Sequence, residues 1–132
     1  FEENIAPYVG AGGCIDRLTV FNLRDEYERD DNVAKIYNKS LLYLVSHAFE
    51  TDHKKPLLGM ERFAKENDTF NALFGKAAKR SESVVMYSTG GRKVQLQSHS
   101  ESHGGFDNDV NTLNATLRII KGKDALARPF KQ

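Results

Sequence analysis

The chain has 132 residues, 39% of them hydrophobic and 28% charged, with a formal net charge of +1. That length suits one domain with one core, and the apolar content excludes a disordered chain. The near-neutral charge supplies no field to draw in nucleic acid or anionic lipid, so neither is expected as a partner.

No apolar run approaches the span of a membrane helix, and no signal-peptide pattern is present. A single cysteine, Cys14, rules out an internal disulfide and suits a reducing, cytoplasmic setting. The chain begins with Phe1 instead of Met. The expectation is therefore a processed product, or a piece of a longer unit.

Residues 1–13 read as irregular, with Gly10, Gly12 and Gly13 marking a close-approach segment. Residues 14–23 read as a strand covered on both faces, with bulk from Ile15, Leu18, Val20, Phe21 and Leu23. Residues 24–32 read as a charged loop, and Asp30, Asp31 or Asn32 is expected to cap the next helix. That helix should be the strongest element. Val33, Ile36, Tyr37, Leu41, Leu44, Val45 and Ala48 fall on one face of a helical period.

A short helix is expected within residues 57–65, and another capped by Asn67 or Asp68, with Phe70, Leu73, Phe74, Ala77 and Ala78 on one face. Residues 83–88 read as a second strand. Turn chemistry at Thr89-Gly90-Gly91-Arg92 then leads to a third short strand through Val94 and Leu96, which makes a hairpin plausible. A final helix follows a cap at Asp107, Asn108 or Asp109, with Val110, Leu113, Leu117 and Ile120 on one face and Gly122 ending it. The tail from Lys123 reads as frayed. The fold class is α/β: about three strands covered by helices, within a single domain or domain fragment over 1–132 that belongs to a larger α/β unit.

The segment most suited to chemistry is 98–109. His99 and His103 sit there among serines, with Gly104 and Gly105 allowing close backbone approach and a helix N-terminus directly behind. Histidine is the natural proton shuttle near neutral pH. A second cluster, Asp25, Glu26, Glu28, Asp30 and Asp31, crowds the exit of the first strand, where α/β sheets gather functional groups. One of these acids can orient a histidine, and Asp25, nearest the strand end, is the first choice. The segment Gly10-Ala11-Gly12-Gly13-Cys14 is neither a Walker loop nor a dinucleotide fingerprint, and Cys14 reads as a small buried residue. His47 reads as a structural histidine on the long helix, and His53 carries no specific signal.

The order strand, acid-bearing loop, helices, strand, histidine loop and closing helix resembles the C-terminal part of an α/β-hydrolase. The residues that carry this are Leu18 to Leu23 with Asp25, then Val84 to Tyr87, then His103-Gly104-Gly105-Phe106. The resemblance covers about 100 residues by order of elements. It implies that His103 is the general base, Asp25 its orienting acid, and that His99, Gly104 and Gly105 contact a small-molecule substrate. The family's Gly-x-Ser-x-Gly elbow is absent, so the nucleophile is expected outside this chain. No cofactor is implied. The rival reading is a non-enzymatic module binding a ligand or partner protein, and a third is a metal site of His99, His103 and Asp107.

Overall fold

The computed structural model describes residues 1–10, 12–31, 35–49, 57–75, 83–88 and 96–131. Its sheet has two parallel strands, β1 (Thr19–Asn22) and β2 (Val84–Tyr87), in the register Thr19↔Val84 to Asn22↔Tyr87. Parallel neighbours need a crossover, and helices supply it. They are α1 (Asp25–Asp30), α2 (Leu41–Leu44), α3 (Glu61–Ala64) and α4 (Asp68–Phe74). The histidine loop and α5 (Val110–Lys121) follow β2. A small α/β fold results. The β-bridge register is extended at one end, where Leu18 N–H donates to Ser83 Oγ and Val84 N–H to Leu18 O, at 2.9 and 3.0 Å.

Strand β1 is shorter than the expected 14–23. Only residues 19–22 join the ladder, while Ile15 makes an isolated bridge to Val9. Cys14 is exposed, against the expectation of a buried thiol. The expected third strand and its hairpin turn fall on residues 89–95, outside the described residues; Leu96 itself lies in a bend.

The charged segment 24–32 holds a helix, not a loop. Asp25, Glu26 and Glu28 in the first turn of α1 suit the positive end of its dipole, and Arg29 pairs back to Asp25 at 2.7 Å. The N-cap Arg24 has no capping side chain. Glu61 of α3 takes over this task from outside, with its Oε2 accepting from Asp25 N–H at 2.8 Å. Glu61 is itself held by Lys65.

The long helix expected over 33–48 begins later. Val33 falls outside the described residues. Lys35 has φ of 60°, the left-handed region that interrupts a right-handed helix. Ile36 is 89% exposed, so its place in the apolar stripe is not a core position. The cap is Ser40, not Asp30, Asp31 or Asn32: its Oγ accepts from Tyr43 N–H, and α2 starts at Leu41. From Val45 to Phe49 the chain widens into a π-turn. Helix α3 lies within the expected 57–65, and Asn67 caps α4 through Phe70 N–H at 2.8 Å; α4 ends at Phe74, and Ala77 and Ala78, expected on its face, fall outside the described residues.

Apolar burial is modest. Leu23, Met60, Ala64 and Ala115 have no exposure, and Tyr43, Phe70 and Met86 have 4% or less. Phe70 stacks on Phe74 with centroids 4.5 Å apart and meets Phe1 at 6.1 Å. Much of the interior is polar: Asn22, Glu28, Ser40, Ser46, Ser88, Ser98 and Ser100 are as buried as the apolar core.

Helix α5 departs from its expected stripe. Ile120 is 73% exposed, while Thr112, Asn114 and Ala115 are buried. The tail explains part of this. Asn114 Oδ1 accepts from Phe130 N–H at 2.8 Å, and its Nδ2 donates to Phe130 O at 3.1 Å. The tail expected to fray is therefore pinned at Phe130. Gly122 ends α5 at φ 60°, as its position implied.

The external cap predicts a measurable penalty. Glu61→Gln keeps the shape but removes the charge that serves the start of α1. Denaturant unfolding is expected to show a loss of about 1 kcal/mol with an unchanged slope.

Candidate functional site

The loop before α5 is built around one carboxylate. Asp109 caps α5, accepting from Asn111 N–H at 3.3 Å and from Thr112 N–H at 3.0 Å. It also accepts from Thr112 Oγ1 at 2.6 Å and from His99 N–H at 2.7 Å. Partial burial works against its charge, but the bonds from Thr112, His99 and Asn111 outweigh burial and hold its carboxyl below the ordinary range. Thr112 Oγ1 lies 2.7 Å from the buried Ser98 Oγ, which fixes the loop's entrance. Asp109 was one of three expected caps, and Asp107 and Asn108 are not used for it.

Within the loop, His103–Gly105 forms a single 3-10 turn, closed by Gly105 N–H donating to Ser102 O at 3.1 Å. A Cβ at Gly105 would stand 2.6 Å from Ser100 Oγ, so that hydroxyl would have to shift to admit it. Gly104 has open space around it. Phe106 ties the turn to the sheet, 6.4 Å from the Phe21 ring of β1 and 6.5 Å from the His103 ring.

This anchoring carries His103 over α1. His103 Nε2 lies 2.9 Å from Glu28 Oε1; the imidazole is 40% exposed and the Glu28 side chain 0%. Among the described residues, neither Glu28 oxygen receives a well-aligned hydrogen bond, so the contact is an ion pair whose second oxygen is buried and has no partner among them. The Glu28 contact raises the His103 pKa above its ordinary 6.5, partial burial opposes this, and the Glu28 and Asp31 charges add to the rise. The positive imidazole is favoured because it is the counter-ion of a carboxylate cut off from water.

Asp25 lies elsewhere. Its Oδ1 accepts from Tyr43 OH at 2.6 Å, and its Oδ2 pairs with Arg29 at 2.7 Å. Both oxygens are engaged on the α2 side of α1, and the structure does not bring Asp25 to His103. Glu28, one of the acids at the strand exit, stands there in its place. On α1, Asp25 and Glu28 are helical neighbours at i,i+3, so helical spacing alone does not say which of them meets His103; Arg29, at i+4, takes Asp25.

His99 is exposed, and its Nδ1 is 3.1 Å from Asn111 Nδ2. Nδ1 accepts from that amide only as an unprotonated ring nitrogen. Asp107 is exposed and accepts from Asn108 Nδ2. Among the described residues, no three His, Cys, Asp or Glu side chains come together to hold a metal ion, so the set His99, His103 and Asp107 is not assembled. Nor, among them, is any helix long and apolar enough to cross a membrane.

Compared with known proteins, the chain matches no family model, no curated protein and no solved structure.

The ion pair makes stability depend on pH. Because the folded pKa of His103 is raised, its contribution is full below about pH 6.5 and is lost as pH rises through the raised value. Thermal unfolding followed from about pH 6 to pH 9 is expected to show this loss, and His103→Gln should flatten it. That substitution also strands the Glu28 charge. The cost is about 1–3 kcal/mol, below that of a fully buried pair because the imidazole is partly solvated. Adding Glu28→Gln to His103→Gln should recover most of it.

Proposed function

We propose that Glu28 and His103 form the acid–base centre of a hydrolase-like α/β domain. The observation that carries this reading is the fully buried Glu28 carboxylate held 2.9 Å from the half-exposed His103 imidazole. A carboxylate so placed fixes the ring and stabilises its protonated form, which is the task of the acid in an acid–histidine pair. His103 is the proton acceptor and Glu28 its positioning residue. Asp25 has no part in the pair; its role is to hold α1 to α2.

The pair is oriented through Nε2, so Nδ1 is the ring nitrogen left to take a proton from a reactant. In the Ser-His-Asp arrangement the acid engages Nδ1. The centre therefore works from the opposite edge of the ring, and its nucleophile is a water or a group supplied from outside this chain. The substrate is a small molecule, reached from the solvent side of the 3-10 turn, where His99 and Gly104 lie exposed. The two-stranded sheet is read as part of a larger α/β unit. A reducing, cytoplasmic setting accords with Cys14, which is exposed and has no second cysteine in the sequence to bond with.

The test is hydrolysis of an activated ester, p-nitrophenyl acetate, by the chain and by His103→Gln and Glu28→Gln. Slow turnover is expected, rising with pH through a value above the ordinary imidazole pKa, since the neutral ring is the base. His103→Gln should remove at least about tenfold of that rate, and Glu28→Gln should move the pH limb down. A rate unchanged in His103→Gln overturns the assignment.

A further inference from the structure

On the α2 side of α1 lies a cavity of about 340 Å³, lined among the described residues by Arg29, Lys39, Tyr43, His47 and Arg62. Three of these five side chains are permanently cationic near neutral pH, and none is a carboxylate. The chain as a whole carries only +1, so this is a local concentration of charge. Like charges drawn around one space repel each other, and an anion in that space relieves the repulsion.

The charges are not equivalent. Arg29 is partly neutralised by Asp25 at 2.7 Å, and its Nε donates to Tyr43 OH at 3.3 Å. Tyr43 OH donates in turn to Asp25, so these three groups form a fixed wall. Lys39 and Arg62 have no carboxylate partner among the described residues. Both stand over rings: Lys39 Nζ is 5.1 Å from the Tyr43 centroid, and the Arg62 guanidinium is 5.6 Å from that of Phe63. A ring steadies a cationic side chain and leaves its N–H donors unspent. His47, on the π-turn, meets the Tyr43 ring edge-on at 5.7 Å and completes the lining.

We infer that this cavity binds a small molecule bearing a phosphate monoester, with the phosphate on Arg62 and Lys39 and the organic part against the Tyr43 ring. A guanidinium fork and an ammonium together match a doubly charged, tetrahedral oxyanion better than a singly charged carboxylate. The volume is also right. It equals roughly ten water molecules, too large for a bare phosphate but within the range of small-ligand sites. The inference does not depend on the Glu28–His103 centre, which uses a different face of α1.

The test compares phenyl phosphate with benzoate, which share a ring and differ in the anion. The His47 ring signals are followed by NMR at fixed ionic strength. Phenyl phosphate is expected to bind saturably, at least about fivefold more tightly than benzoate. Arg62→Gln and Lys39→Gln should each weaken it by about fivefold or more, whereas Lys121→Gln, which removes the same charge from the exposed end of α5, should not. Amide spectra of each variant confirm that the fold is kept. Non-saturable shifts, benzoate binding as tightly as phenyl phosphate, or an equal loss in Lys121→Gln would overturn the inference.

Discussion

A carboxylate removed from water must find compensation inside the protein, and among the described residues Glu28 finds it in His103. This constraint reaches in both directions along the chain. On one side it bears on the rotation of α1, which must bring Glu28 to His103 while Asp25 and Arg29 meet Tyr43. On the other it requires the 3-10 turn to sit over α1, and the turn is kept there by Phe106 against Phe21. The short sheet, α1 and the histidine loop are thus three parts of one electrostatic arrangement, with the sheet as its rigid member.

The polar interior follows the same logic with neutral groups. Ser88 and Ser98 are fully buried, yet each is spent on a named contact: Ser88 Oγ accepts from Arg24 N–H, and Ser98 Oγ meets Thr112 Oγ1. Asp109 gathers donors from His99, Asn111 and Thr112, and so joins the loop to the first turn of α5. Such groups contribute little net energy compared with apolar burial, but they admit few alternative arrangements. Apolar burial supplies the stability, and the directional bonds select the arrangement.

The sequence made some of this legible and hid the rest for physical reasons. Val84 to Tyr87, the Asn67 cap and the Asp109–Gly122 frame of α5 were readable because local chemistry decides them: β-branched runs, an Asx cap, a glycine at the helix end. The misjudged elements were those decided from a distance. Residues 24–32 look like a charged loop because the cap of α1 comes from Glu61, remote in sequence. The apolar spacing from Val33 to Ala48 fits one helix, but Lys35 and Ser40 divide it, and Ile36 is left in solvent. At the site, the histidine loop and the acidic cluster were both visible. Which acid faces His103 was not, because that depends on the helical rotation of a segment whose helicity was itself concealed.

Parallel pairing of β1 with β2 has a kinetic side. Leu18 and Ser83 meet across 65 residues, and no short hairpin exists between the paired strands to nucleate the contact. Chain entropy must be surrendered before that pairing returns any stability. Glu28 and His103 are farther apart still. Until the strands close, His103 lacks the Glu28 contact that raises its proton affinity, so that raised affinity is a time stamp for completed folding.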